Sequence, residues 1–182
     1  LSMPSVRFAV EFTPIENDCG FDRSGCDQIR FTMSANAGEE LGRISRIASG
    51  GELSRIMLAM KNVFAENDPV QTMIFDEIDT GVSGVAAQRV GEKLFQVSLG
   101  KQVMCVTHLP QIAAMADSHY VIKKEERSGR TYTDVLPLDK EGRLRELARL
   151  HGGDNITELT LASAAEQLEN AAKFKETVKN RP

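Results

Sequence analysis

Two short apolar segments, each followed at once by polar residues, constrain the fold of this chain more than any other feature. The segments are residues 72–75 and 103–106, and the polar pairs that follow them are Asp76-Glu77 and Thr107-His108. Apolar runs of four residues suit buried strands. The intervening residues 85–97 have the pattern of a helix. The order strand, helix, strand predicts a parallel pair with a helical crossover, and therefore an α/β fold.

The N-terminal part has a different pattern, in which apolar residues alternate. Val6, Phe8, Val10 and Phe12 share one face of a predicted strand, which we expect to be the half-buried face. A second strand is predicted at 28–34, after a turn-rich loop. Residues 4–34 therefore read as a long-looped β-ribbon, and residues 35–46 as a polar connector.

Helical spacing predicts the remaining elements. Apolar residues three and four apart indicate an amphipathic helix from Gly51 to about residue 66. Pro110 lies near the start of a predicted helix that reaches Ala116. A hairpin is expected at 119–124 and 131–138, around the turn at 128–129, and two helices at 142–150 and 157–178.

Composition excludes several classes of protein. Hydrophobic residues make up 41% and charged residues 26%, which is typical of a globular protein, and no apolar stretch approaches the ~20 residues of a membrane span. A net charge of -4 disfavours non-specific DNA binding by the whole surface. Cys19, Cys26 and Cys105 have no metal-binding spacing and form no even set, so we expect a reducing compartment, the cytoplasm.

The polar residues lie where nucleotide chemistry is possible. Ligands of open α/β sheets bind at the carboxyl ends of the strands, where Asp76 could support Mg²⁺, Glu77 could activate a water, and His108 could contact a γ-phosphate. Ser49-Gly50-Gly51-Glu52 precedes a helix, and free amides there favour an anion. Each signal alone is weak. Acid pairs often follow strands, a Ser-Gly-Gly segment often only caps a helix, and a histidine at a strand end often binds only backbone.

The order and spacing of these motifs carry more information than any one of them. They resemble the C-terminal lobe of ABC-family ATPases, within the SMC-like branch. The longer strings at 47–59, 74–84 and 106–114 closely resemble the RecN family of bacterial proteins that repair DNA double-strand breaks. The resemblance extends over nearly the whole chain, including the 34–39 connector and the 145–149 helix.

This resemblance implies both a fold and a set of site residues. The fold would be the C-terminal lobe of an ATPase head, with a largely parallel sheet, flanking helices and an N-terminal β-ribbon. Its parts would be residues 1–46 (ribbon and connector), 47–138 (signature helix, Walker B strand, switch strand and hairpin) and 139–182 (C-terminal helices). Ser49, Gly50, Gly51 and Glu52 would form the signature loop, in which Ser49 and Gly51 contact the γ-phosphate of ATP held by a second head. Arg55 would support that loop.

The remaining roles also follow from the resemblance. Asp76 would be the Walker B acid that supports Mg²⁺, Glu77 the catalytic base, Asp79 part of the D-loop that crosses the dimer interface, and His108 the switch histidine. The implied cofactors are ATP and Mg²⁺. The implied partners are the N-terminal half of the head, a second head in an ATP-dependent homodimer, and DNA through the full-length protein, in the cytoplasm of a bacterium at the nucleoid.

The chain departs from the family pattern in one respect. A P-loop needs G-x-x-x-x-G-K-[ST], and neither that string nor a Gln loop occurs in the sequence. In SMC-like proteins both lie in the N-terminal half of the head. We therefore expect weak or no ATP binding and no hydrolysis by this chain alone. We also expect an exposed sheet face where that half would pack, which invites self-association.

Two other functions compete with this one. The first is a DNA-binding or partner-binding module that uses basic residues of the hairpin and of the following helix, namely Lys123, Lys124, Arg127, Arg130, Arg143, Arg145 and Arg149. Acidic residues lie among them, so the same charges also fit an ordinary solvated face. The second is an ABC transporter subunit, which the N-terminal strand pair and the 145–149 helix disfavour.

Overall fold

A computed structural model describes residues 6–34, 38, 40–43, 50–64, 69–127 and 129–180 of the chain, without the side chain of Glu52. Its first sheet is antiparallel, with strands β1 (Arg7–Pro14), β2 (Asp27–Ser34) and β3 (Gly42–Arg43) in that order. Strands β1 and β2 pair along their full length, from Arg7 opposite Ser34 to Pro14 opposite Asp27. The predicted ribbon is therefore present. The short strand β3 lies in the segment that the sequence indicated to be a connector.

The prediction that the apolar face of β1 is half-buried is wrong. Phe8 is 54% and Phe12 is 63% exposed, although both lie on the apolar face. Directly paired residues share a face, so Phe31 belongs to it too, and its ring stacks on Phe8 with 5.7 Å between centroids. Burial is found only at the end of β2, where Thr32 on the opposite face and Met33 on the same face as Phe8 are both buried. Alternation predicted the strand correctly, but it does not reveal which face other residues cover.

The middle of the chain has the predicted α/β order. Helix α1 (Gly50–Phe64) is followed by β4 (Thr72–Phe75), α2 (Gly84–Ser98), β5 (Gln102–Cys105) and the short helix α3 (Pro110–Ala113). Strands β4 and β5 pair in parallel, and they form the one parallel sheet among the described residues. The backbone N–H of Val106 donates to the carbonyl of Phe75 at 2.9 Å, which extends the pairing by one bond.

The two faces of the parallel pair differ in burial. Side chains of the inner face pack with residues of α1 and α2 into the main hydrophobic core, whose buried members are Leu58, Met73, Phe75, Ile78, Val90, Leu94, Val97 and Ile112. On the outer face, Ile74 is 69%, Met104 53% and Val106 49% exposed. Parallel sheets are normally covered on both faces, so this outer face lacks its usual second layer among the described residues.

A hairpin and two long helices complete the described chain. Strands β6 (Tyr120–Arg127) and β7 (Arg130–Pro137) pair antiparallel, and helices α4 (Lys140–Gly152) and α5 (Glu158–Lys179) follow. Their first turns are capped by side chains, since Asp139 accepts from the backbone N–H of Gly142 and Thr157 from that of Thr160. Helices α4 and α5 form a second apolar cluster with the residues that end α3. In the part of the chain that the structure describes, no helix has the length and apolar character to span a bilayer.

Candidate active site

The two acids after β4 lie at the carboxyl edge of the parallel pair. Asp76 is exposed, and its Oδ1 accepts a hydrogen bond from the backbone N–H of Glu77 at 2.9 Å. Its backbone carbonyl accepts from the hydroxyl of Ser54 in α1 at 3.2 Å. The second helical turn of α1 is therefore tied to the end of β4.

Glu77 has an unusual backbone conformation. Its φ is 56°, and it is the one non-glycine residue with positive φ among those described. A residue with a Cβ in this left-handed region costs roughly 1–2 kcal/mol. Strain of this kind persists where surrounding structure enforces it, and it is concentrated at functional sites. The turn that follows is closed by a hydrogen bond from the N–H of Thr80 to the carbonyl of Glu77, at 3.1 Å.

The start of α1 packs directly on this turn. A Cβ added to Gly51 would lie 2.8 Å from Cβ of Thr80, 2.9 Å from its carbonyl oxygen and 3.0 Å from the carbonyl oxygen of Glu77. At Gly50 the nearest atom to such a Cβ is Oε2 of Glu77, at 3.1 Å. Only glycine fits at 51 without displacement of backbone. Two of the predicted signature-loop residues therefore contact the predicted base within one chain, while Ser49 and the side chain of Glu52 lie outside the described part.

Arg55 supports the turn after β4. Its side chain is buried, and Nη1 donates to the carbonyl of Thr80 at 2.7 Å and to that of Ile78 at 3.4 Å. The support of the signature loop by Arg55, which the resemblance implied, stays a prediction because Ser49 lies outside the described residues. A buried guanidinium is stabilised where it satisfies carbonyls that the turn leaves unpaired.

Asp79 joins the two strand ends. Its side chain is 4% exposed, and Oδ2 accepts from the hydroxyl of Thr107 at 2.7 Å and from the backbone N–H of His108 at 2.8 Å. The imidazole Nδ1 of His108 lies 2.9 Å from the same oxygen. The carboxylate is thus enclosed within this chain, while its predicted place in a D-loop at a dimer interface stays a prediction. The predicted switch residue, in contrast, has a side chain that is 73% exposed.

The carboxylate of Asp76 is the predicted metal ligand of this site. No group of three or more histidine, cysteine or acidic residues could hold a metal within the described ranges. Burial, with the charges of Asp79 and Asp76 as smaller contributions, raises the pKa of the Cys105 thiol from 9.0 to about 12, so this cysteine stays neutral and packs as a small apolar residue. The exposed carboxylate of Asp76 fits Mg²⁺, which commonly binds one or two carboxylates and takes its other ligands from phosphates and water.

The basic residues behind the DNA-binding hypothesis are largely engaged within the chain. Arg143 donates to the carbonyls of Ala114 and Ala116, at 2.8 and 2.5 Å. Three others form ion pairs: Arg127 with Glu125 and Asp134, Arg145 with Glu141, and Arg149 with Glu146. These contacts match the solvated-face interpretation and add no support for a nucleic-acid surface.

Sequence reasoning missed two residues of this site. Thr107 was noted only as part of a strand end, yet its hydroxyl also accepts from the backbone N–H of Leu109 at 3.1 Å while it donates to Asp79. Thr80, whose carbonyl and Cβ face α1, was not singled out at all. The position of Thr107 directly before His108 was the available signal, because a short hydroxyl side chain at a strand end often binds the following turn.

No family model matches the chain. It is similar to the DNA repair protein RecN of Bacillus subtilis, with 50% identity over 153 residues, which are 84% of this chain and 27% of that protein. RecN of Halalkalibacterium halodurans is 45% identical over 176 residues, or 96% of this chain and 31% of that protein. RecN of Treponema pallidum is 44% identical over 176 residues, covering 95% of this chain and 31% of the relative. The chain thus spans less than a third of the length of these relatives.

Solved structures support the fold. An Smc head domain with a coiled coil and joint, from Pyrococcus yayanosii, superposes with a TM-score of 0.56 at 24% identity, over 82% of this chain and 26% of that one. An Smc head with an extended coiled coil from Pyrococcus furiosus, bound to the C-terminal domain of ScpA, gives 0.51 at 24% identity over 81% of this chain and 34% of that one. Likeness at this identity shows an SMC-head fold and no more. The sequence matches show that the chain belongs to the RecN family, and the solved structures show that its fold is that of an SMC head.

Proposed function

We propose that this chain forms the C-terminal part of an ATPase head in a DNA double-strand-break repair protein, and that it supplies half of a composite ATP site. One observation supports this above the others. The start of α1 packs at contact distance on the turn that follows Asp76 and Glu77, while Asp79 ties that turn to Thr107 and His108. The start of α1, the turn after β4 and the residues after β5 are distant in sequence, and these contacts hold them at one edge of the sheet. We propose that the full-length protein acts in the bacterial cytoplasm.

Each residue has a definite task in the proposed site. The carboxylate of Glu77 accepts a proton from the attacking water. The strained backbone of Glu77, at φ 56°, sets the direction in which its side chain leaves the main chain. Asp76 would hold Mg²⁺, which would neutralise charge on the phosphates of ATP. Ser49 and the amides of Gly50 and Gly51 bind the terminal phosphate of ATP held by a second head, and Glu52 completes that loop. His108, the proposed switch histidine, contacts the terminal phosphate of the ATP that its own head would hold.

Hydrolysis requires groups that this sequence lacks. Because no P-loop lysine and no cradle of phosphate-binding amides is present, the chain alone is proposed to be inactive and to bind ATP weakly. Its proposed partners are the N-terminal half of the head, a second head and, through the full-length protein, DNA. The N-terminal half has a suitable surface available in the outer face of β4 and β5.

The test is ATP hydrolysis by this chain mixed with a separately produced N-terminal head half. Activity is expected only in the mixture, and Glu77→Gln is expected to lower kcat at least ~100-fold, the usual scale of a lost general base. Glu176→Gln makes the same chemical change at an exposed position of α5 and should leave the activity unchanged. Hydrolysis by the chain alone, or an inactive mixture in which both halves are folded and associated, would overturn the proposal.

A further inference from the structure

Two adjacent side chains of α1 hold the main chain on both sides of Glu77. The hydroxyl of Ser54 donates to the carbonyl of Asp76 at 3.2 Å, one residue before Glu77. Nη1 of Arg55 donates to the carbonyl of Ile78 at 3.4 Å, one residue after it. The main chain is therefore anchored to the same helix immediately before and immediately after the proposed base.

The shorter contact of Arg55 is with Thr80, at the end of the same turn. Nη1 lies 2.7 Å from the carbonyl oxygen of Thr80, and the N–H of Thr80 donates to the carbonyl of Glu77 at 3.1 Å. A hydrogen bond from a charged donor is stronger than one from a neutral donor. Arg55 therefore fixes the far end of the turn that begins at Glu77.

The guanidinium of Arg55 is buried with few alternatives to these contacts. Arg55 is 6% exposed, and its Nε is buried without a hydrogen-bond partner in the part of the chain that the structure describes. A buried cation is costly unless polar groups compensate it. In that described part the compensation comes from the carbonyls of Ile78 and Thr80. The guanidinium and the turn are therefore held in place by each other.

We infer that Arg55 is a positioning residue for Glu77, and that it acts by holding the turn 77–80 in the conformation that gives Glu77 its φ of 56°. A left-handed backbone is unfavourable for a residue with a Cβ, and it persists where surrounding contacts enforce it. Without Arg55 the turn relaxes, and the carboxylate of Glu77 leaves the direction that the structure gives it. The inference rests on the proposed function for the role of Glu77 as a base.

The hold of Arg55 on the turn can be measured on the chain alone, by deuterium exchange of backbone hydrogens followed by NMR. Arg55→Met should speed exchange of the Thr80 N–H roughly tenfold or more, the usual effect of losing a hydrogen bond to a charged group. The N–H of Val106, which donates to the carbonyl of Phe75 at the same sheet edge, is an internal control. Unchanged exchange at Thr80, or an equal increase at Val106, would overturn the inference.

The consequence for the reaction is measured in the mixture with the N-terminal head half. Arg55→Met should lower kcat roughly 10–100-fold and leave KM nearly unchanged, because it misplaces one group and leaves binding intact. Arg55→Lys retains a charged donor and should recover part of this loss. Arg23→Met makes the same chemical change at an exposed position in the loop of the ribbon, and should leave kcat as in the parent. A folded Arg55→Met chain with the kcat of the parent would contradict the positioning role.

A double variant distinguishes action through Glu77 from a general structural role. In a Glu77→Gln chain, Arg55→Met should lower kcat by less than about twofold further, since the group that it positions is already lost. A further loss as large as in the parent chain would show that Arg55 acts by another route. Ser54→Ala tests the same anchoring without removal of a buried charge, and should lower kcat by about 2–10-fold, the scale of one neutral hydrogen bond.

Failure of this inference and failure of the proposed function remain distinguishable. If Arg55→Met speeds exchange at Thr80 but the folded and associated parent halves hydrolyse no ATP, the proposed function fails and the hold of Arg55 on the turn stands. If the parent mixture is active and the Arg55→Met mixture matches it, the inference fails and the proposed function stands.

Discussion

The close approach of α1 to the turn after β4 can be tested by two substitutions one residue apart. Gly51→Ala places a methyl group 2.8–3.0 Å from two backbone carbonyl oxygens and the Cβ of Thr80, where ordinary contacts need about 3.5–4.0 Å. Overpacking of this kind costs roughly 1–3 kcal/mol. At Gly50 the same methyl meets only the flexible carboxylate of Glu77, at 3.1 Å, which can move aside.

The pair isolates the steric cost from the helix propensity. Both positions open α1, so the gain from alanine is at most the roughly 0.8–1 kcal/mol that separates it from glycine in a helix interior. The overpacking cost of ~1–3 kcal/mol therefore dominates the difference between the variants, and Gly51→Ala should be the less stable. Urea unfolding followed by circular dichroism should separate their midpoints by roughly 1 M, for a slope of about 2 kcal/mol per molar. Coincident midpoints would show that Gly51 is not packed against the turn.

Three further predictions concern stability. Leu58→Ala in the main core, where Leu58 is 0% exposed, should cost about 2–5 kcal/mol in urea unfolding, whereas Leu159→Ala, at a position 80% exposed, should change stability by less than ~0.5 kcal/mol. Arg55→Met should cost roughly 1–3 kcal/mol, because the carbonyl of Thr80 loses a charged donor at 2.7 Å; unchanged stability would refute this. The pKa of the Cys105 thiol rises from 9.0 in the unfolded chain to about 12 in the folded chain, so the thiol's contribution to folding stability is complete below pH ~9 and is lost towards pH ~12. Cys105→Ala should therefore lose less folding stability than the parent chain between these pH values in urea unfolding.

The order of the elements was predictable because local pattern determines it. Two apolar runs with a helix between them define a parallel pair, and the structure confirms both strands within one residue of the predicted ends. The site motifs were predictable for a similar reason, since Asp76, Glu77 and His108 directly follow strands and must lie at one edge. Helix α3 is shorter than predicted, because it ends at Ala113 and turns continue towards residue 116.

The contacts that hold the site together were not predictable, because each joins residues that are far apart in sequence. Asp79 and Thr107 are 28 residues apart, and Arg55 and Thr80 are 25 apart. Nothing in local pattern says that an acid two residues after Glu77 turns inward. The positive φ of Glu77 was equally hidden, since such conformations favour glycine and a glutamate gives no signal for them.

The exposed outer face of β4 and β5 has a consequence for how a neighbouring domain can come to cover it. Ile74, Met104 and Val106 are 49–69% exposed, so covering them recovers about half of the ~1.5–3 kcal/mol that each full burial is worth. The total, roughly 2.5–5 kcal/mol by that scale, reaches only the lower end of the ~4–15 kcal/mol that a free partner loses in translational and rotational freedom. A neighbour joined to this chain by a linker has an effective concentration up to the millimolar range, and most of that loss disappears. The face is therefore suited to a neighbour that is already tethered, and separately produced halves will need either high concentration or a peptide link to assemble.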